Sequence, residues 1–161
     1  MGVTTIVIDC DGCLTDGKKY IGADGQRTAI AFNSRDNTAV QRLIAAGYRV
    51  VVVTASRFPG IRRYWQKYNV EVFSSREKEH LPGIYWENAA GIGDDLMDAP
   101  FLRKCAVAFT PADGHPALRG EFTPLATYGG RGIMEEVETR LKSIHFLQNG
   151  DKKVIYNDTA Y

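Results

Sequence analysis

Thr4-Thr5-Ile6-Val7-Ile8-Asp9-Cys10-Asp11-Gly12 is the stretch on which the fold turns. Thr5, Ile6, Val7 and Ile8 are β-branched, so the run reads as a buried strand. Two carboxylates, one residue apart, come directly after it. Placing them at the end of a buried strand is costly unless something neutralises them. A divalent cation does so, and carboxylate oxygens suit Mg²⁺. In an open parallel sheet the carboxyl ends of the strands are also where active sites gather. An Asp- and Gly-rich surface turn accounts for the same residues, so the rest of the chain has to decide between the two.

Working outward, three more apolar runs end near chemistry. Residues 48–53 run into Thr54, residues 70–73 are followed by Lys78, and residues 89–92 lead into Gly93-Asp94-Asp95, with Asp98 beyond. Helical patterns lie between these runs. Asp36 is placed to cap a helix over 37–46 that carries Val40, Leu43 and Ile44 on one face and stops at Gly47. Pro59 can begin a helix with Ile61, Tyr64, Trp65 and Tyr68. The pattern predicts a helix over 97–104 with Pro100 near its start, a strand over 105–109, and a last helix over 132–144. Strands alternating with helices predict an α/β fold, a Rossmann-like parallel sheet with helices on both faces.

Two segments break the rhythm. Residues 18–32 read as a β-hairpin flap after the first strand, turning at Asp24-Gly25. Residues 146–161 read as a polar C-terminal tail with a second possible turn at Asn149-Gly150. The whole of 1–161 is read as a single domain. The hairpin and one helix use most of the chain between Asp11 and Thr54, and the stretch from Thr54 to Lys78 is shorter still. Neither can hold a cap domain, so the fold is expected to be capless.

Composition narrows the function classes. Among 161 residues, 44% are hydrophobic and 24% charged, with a net charge of +1 and no basic block. That argues against nucleic-acid and membrane partners. No apolar stretch reaches membrane-span length, and no signal-peptide pattern precedes the first strand, so a cytoplasmic protein is the expectation. Cys10, Cys13 and Cys105 make an odd count, which does not suggest a disulfide framework. Cys10 and Cys13 form C-x-x-C, but no second Cys or His pair has zinc-site spacing. Cys10 is therefore read as a small apolar residue of the loop.

The ordered set Asp9-Cys10-Asp11-Gly12, Thr54, Lys78, Gly93-Asp94-Asp95 resembles the four motifs of the haloacid dehalogenase (HAD) superfamily of phosphotransferases. The longer string from Asp9 to Gly17 is narrower. With Phe32-Asn33-Ser34-Arg35-Asp36, Gly93 to Asp98, His115-Pro116 and Gly129-Gly130-Arg131-Gly132, it resembles the 3-deoxy-manno-octulosonate 8-phosphate phosphatase group, which includes relatives acting on nonulosonate 9-phosphates. The resemblance covers about residues 3–145. It implies a capless phosphatase that forms a homotetramer in which each hairpin helps line a neighbour's site.

For phosphoryl transfer this set assigns roles. Asp9 is the nucleophile, forming an aspartyl-phosphate. Asp11 protonates the leaving oxygen and later deprotonates water. Mg²⁺ is held by Asp9, the Asp11 backbone carbonyl and Asp94. Thr54 hydrogen-bonds a phosphoryl oxygen and Lys78 neutralises transition-state charge. Asp95 and Asp98 are read as supporting groups behind these. Lys78 lies in a polar stretch, 74–79, that equally suits an exposed loop, and Arg76 competes for its role. Arg35 and Arg131 are candidates for a substrate carboxylate, although both also fit a helix start at the surface. The stretch Thr54-Ala55-Ser56-Arg57 departs from the group's pattern. It is similar in position to a segment that influences sugar discrimination, which makes Ala55 and Arg57 candidate substrate contacts. The glycine usual before the motif lysine is absent, and the helix between Lys78 and Gly93 must be short.

The expected substrate is a small phosphorylated 2-keto-3-deoxy sugar acid. Two other classes stay open: a capless HAD phosphatase acting on a phosphoprotein or a nucleic-acid end, and a non-catalytic HAD module partnering a sugar-activating enzyme.

Overall fold

The apolar runs become the inner strands of one parallel sheet. In the computed structural model, which describes residues 2–149, β1 is Thr5–Asp9, β4 is Arg49–Thr54, β5 is Glu71–Ser74, β6 is Ala89–Ile92 and β7 is Val107–Thr110. A short edge strand, β8 (Thr123–Pro124), completes the order β5-β4-β1-β6-β7-β8. The registers Asp9↔Val53 and Ile8↔Ile92 bring the carboxyl ends of β4, β1 and β6 to one edge. The chain builds outward from β1 to β5 and then returns to β6 on the other side. The β1/β6 boundary is therefore the topological switch point, where open α/β sheets bind ligands.

Alternation along each strand splits the core in two. Ile6, Ile8, Val50, Val52 and Ile92 face α1 (Ser34–Ala45), α2 (Pro59–Gln66) and α5 (Ile133–Asn149). Val7, Val51, Val53 and Ala89 face α3 (Ala99–Leu102) and α4 (Pro116–Glu121), together with Leu81 and Ile84. Both faces are covered, as the run of β-branched residues requires. Trp65 is fully buried and meets Phe32, Tyr64 and Tyr68 edge-on.

The differences from the sequence reading are local. Helix α1 starts three residues early, because Asn33, not Asp36, caps it by accepting the Arg35 N–H at 2.9 Å. Asp36 is instead buried, and its carboxylate accepts the N–H groups of Gly132 (3.3 Å) and Met134 (2.8 Å), capping α5 from the neighbouring helix. Pro100 does lie at the start of α3, but a single 3₁₀ turn precedes it and the helix ends at Leu102. Between Lys78 and β6 the helix is replaced by two 3₁₀ turns, Lys78–His80 and Trp86–Asn88. The hairpin shrinks to β2 (Tyr20–Ile21) and β3 (Arg27–Ala29), with a register irregularity at Tyr20/Ile21. The segment from β1 to β4 holds only the turn Cys10–Leu14, this pair and α1, and that from β4 to β5 only α2, so neither carries a cap. Helix α5 continues through Asn149 into the segment read as a tail; the rest of that segment, with its turn at Asn149-Gly150, lies outside the described residues.

Candidate active site

Asp9 ends β1, and the chain then makes a tight turn over Cys10–Leu14. Gly12 adopts φ 93°, and a Cβ there would collide with the Asp94 carboxylate, so only glycine lets the two loops meet. Thr15, itself buried, fixes the turn: its hydroxyl accepts the N–H groups of Gly12 (3.3 Å) and Gly17 (3.1 Å). The Gly129-Gly130 loop lies on top. The Gly130 N–H donates to the Cys13 carbonyl at 2.8 Å, and a Cβ on Gly129 would strike the Gly12 carbonyl. Cys10 and Cys13 are fully buried beneath, and burial pushes both thiols well up.

Lys78 is 2% exposed. Its Nζ lies 2.6 Å from Asp9 Oδ1 and 2.6 Å from Asp98 Oδ1. Arg76, its competitor in the sequence, stays exposed. Burial alone would pull the Lys78 amine down, but Asp9 and Asp98 outweigh it and hold it above the ordinary range. Asp98 is fully buried and also accepts the N–H groups of Asp94 (3.0 Å) and Asp95 (3.1 Å), so it orients the β6 loop as well as the lysine. Asp95 caps the following 3₁₀ turn.

Thr54 ends β4 at 1% exposure. Its Oγ1 accepts the Ser56 N–H at 3.0 Å, which leaves its own hydrogen to donate. Asp94 is half-buried at the end of β6. Burial, with the Asp98 charge, pushes its carboxyl up to about 7, against a hydrogen bond with Asp9. Burial and Asp98 likewise raise Asp9, against the pull of Lys78.

Fully ionised, Asp9, Asp94 and Asp98 would set three negative charges against the single positive charge of Lys78, and burial together with this excess raises Asp9 and Asp94. The excess is what one divalent cation neutralises. Donor atoms of Asp9, Cys13 and Asp94 lie within 4.8 Å of one another, and the carboxylates supply hard oxygen donors. The residues present thus fit such an ion.

The remaining predicted residues scatter around this pocket. Asp11 is half-exposed at its rim. Ala55 and Arg57 are exposed just past Thr54, and Arg57 lines a groove of 370 Å³ with Arg62 and Arg63. Arg131 is exposed near the acid loop, where its charge lowers Asp16 behind the larger effect of Lys18. Arg35 is committed elsewhere, bonding Glu135 of α5 at 2.8 Å. A groove of 630 Å³ lies at the opposite edge of the sheet, lined by Thr4, Leu43 and Tyr48. It holds none of the strand-end acids and is not the site. One residue at the pocket escaped the sequence reading. Arg27 of β3 places Nη2 2.9 Å from Asp11 Oδ1. Its only signal was position, since an arginine on a short hairpin arm normally faces solvent.

A β1 acid loop, a β4 hydroxyl, a buried lysine and a β6 acid pair, on a sheet that switches beside β1, define the class: a phosphatase of the HAD superfamily. No family model matches the sequence. Known proteins do. The 3-deoxy-D-manno-octulosonate 8-phosphate phosphatase KdsC of Escherichia coli K12 is 30% identical over 149 residues, 84% of this chain and 77% of that protein. The KdsC of Haemophilus influenzae is 30% identical over 165 residues, covering 96% and 88%. The solved structure of the cobalt-bound form of the Haemophilus influenzae deoxy-D-mannose-octulosonate 8-phosphate phosphatase superposes with a TM-score of 0.82 at 27% identity, covering 98% of this chain and 94% of that one. The chain belongs to the KdsC family of HAD phosphatases.

Proposed function

We propose that this protein is a Mg²⁺-dependent phosphomonoesterase that hydrolyses a 2-keto-3-deoxy sugar acid phosphate, of the octulosonate 8-phosphate or nonulosonate 9-phosphate type. The observation that carries the reading is the buried cluster around Asp9, whose three acids outnumber its one lysine and whose oxygens are spaced to hold one divalent ion. Kinship with the KdsC phosphatases supports the substrate class.

Asp9 attacks phosphorus in line, so an Asp9–phosphorus bond forms as the ester bond breaks. Asp11 gives its proton to the leaving oxygen. It then takes one from the water that cleaves the aspartyl-phosphate and releases inorganic phosphate. Thr54 donates its free hydroxyl hydrogen to a phosphoryl oxygen. Lys78, already neutralising Asp9, shares its charge with the equatorial oxygens. Asp9, the Asp11 carbonyl and Asp94 would hold Mg²⁺, which screens Asp9 from the incoming phosphate and orients it. Arg131 and Arg57 remain available for the substrate's own carboxylate; Arg35 is not, while it pairs with Glu135. Exposure of Tyr20 (50%) and Ile21 (55%) on the hairpin supports a homotetramer that covers them.

A phosphate-release screen with Mg²⁺ tests the reading. Keto-deoxy sugar acid phosphates should be turned over well ahead of phosphopeptides and 3′-phosphorylated oligonucleotides. Asp9→Asn should abolish release without unfolding the chain. Turnover of the phosphopeptides or oligonucleotides instead would replace the substrate class, and near-normal release by Asp9→Asn would remove the nucleophile.

A further inference from the structure

The hairpin reaches back into the site of its own chain through Arg27. That side chain is 9% exposed, and it is the only cation within ion-pair distance of Asp11 among the described residues. The two groups meet by charge rather than along an N–H bond. Both Nη atoms and Asp11 Oδ1 are buried with no hydrogen-bond partner among the described residues.

The guanidinium is anchored from two other directions. Its Nε donates to the Ala29 carbonyl at 3.3 Å. Its Cζ stands 5.5 Å from the centroid of the Phe58 ring, a cation–π distance. Phe58 follows the Thr54–Arg57 stretch and is wedged against Gly60, where a Cβ would meet the ring. Three segments of the pocket therefore converge on one arginine.

An exposed arginine–carboxylate pair adds little to stability. A guanidinium that is nine-tenths buried with unspent donors is a different object, because its desolvation is not offset by hydrogen bonds. A carboxyl at a pocket rim has several accessible rotamers, and a fixed charge beside it selects one.

We propose that Arg27 is a positioning residue, holding Asp11 in the rotamer from which its carboxyl reaches the leaving oxygen. This rests on the acid–base role given to Asp11 above. It predicts an effect that depends on the leaving group. As the Asp9–phosphorus bond forms and the ester bond breaks, a sugar alkoxide must take the Asp11 proton, whereas p-nitrophenolate departs without it.

The test compares wild type, Arg27→Ala, Arg27→Lys and Asp11→Asn with Mg²⁺ on a keto-deoxy sugar acid phosphate and on p-nitrophenyl phosphate. In Arg27→Ala, kcat on the sugar phosphate should fall roughly ten- to a hundredfold, with KM little changed. The first burst of p-nitrophenolate should slow by no more than about threefold, since that step needs little general acid. Arg27→Lys should recover much of the loss. Equal losses on both substrates, or a loss confined to KM, would overturn the proposal. Should Arg27→Ala not fold, Phe58→Leu, which removes the ring beneath the guanidinium, should give a smaller split of the same sense; a uniform loss there counts against it. Crystal structures supply a readout independent of turnover. Asp11 should occupy one rotamer in wild type and several in Arg27→Ala, and an Asp11 unmoved in the variant sinks the idea whatever the kinetics. If wild type hydrolyses no monoester, the phosphatase reading has failed, and the Asp11 rotamer alone then decides about Arg27.

Discussion

Asp9 is 5% exposed and gripped by a buried lysine, whereas Asp11, two residues on, sits half-exposed beside an arginine lent by the hairpin. The deep pocket is made by strand ends, and the hydrogen-bonded register of β4, β1 and β6 places its acids to within a residue. The rim is made by side chains projecting from a two-stranded ribbon with short arms. The contrast teaches that one motif can divide its labour. The sheet holds Asp9, the nucleophile of the proposed mechanism, so changes there should act on stability as well as activity. A side chain, Arg27, is proposed to hold Asp11, so changes there should act chiefly on activity.

Lys78→Met should break the contrast hardest. It leaves Asp9 and Asp98 buried without a counter-charge, at a cost of about 3–5 kcal/mol, and removes roughly a thousandfold of turnover. Urea denaturation reads the first and phosphate release the second; a stability loss below about 1 kcal/mol would show that water already screens the pocket. Removing the metal should come next. Chelation should lower the melting temperature by roughly 5–10 °C, from a binding contribution of about 2.7 kcal/mol at a hundred times Kd. Asp94→Asn should flatten that response, and an unchanged response would free Asp94 from its place at the ion. Asp11→Asn should then slow turnover on alkyl phosphates by roughly a hundredfold or more. Its loss of stability should stay at about 1–2 kcal/mol, below that of Lys78→Met, because Asp11 is half-exposed even though the buried Arg27 loses its counter-charge. A midpoint shift as large as that of Lys78→Met would erase the distinction between pocket and rim.

A third carboxylate sharpens the comparison because it is buried but does no chemistry. Burial pushes Asp36 up to about 6, against the two backbone N–H groups that hold it down. Because its folded value is raised, its contribution favours the native state at low pH and is lost as pH climbs from about 4 through about 6. The loss amounts to roughly 2–3 kcal/mol at most. Asp36→Asn should lack that slope. Denaturation of both proteins at pH 4.5 and 7.5 checks it, and parallel pH profiles would mean that Asp36 titrates normally.

The deep pocket was legible because strands write their ends plainly. Asp9, Thr54 and Asp94 each close an apolar run, and parallel register brings such ends together. Lys78 was less so: its polar neighbours suit a loop, and only burial between Asp9 and Asp98 distinguishes it from Arg76. Arg27 was not legible at all. Its contact spans the acid loop and the hairpin and depends on a ring beyond β4, which no local periodicity encodes. Asp36 was placed near the right end of α1 but was given the wrong helix to cap. A carboxylate one turn into a helix looks the same in sequence whether it caps its own helix or another's.

The bond from Gly130 to Cys13 and the grip of Asp36 on α5 make the first loop of the chain depend on its last helix. A ribosome delivers that loop early and its brace late. Strands β1 and β4 are in hand before Gly130 is made, so the acid turn, held until then by Thr15, gains its second brace only later. Fragments that stop short of Gly130 should therefore hold the acid turn less firmly than the whole chain does.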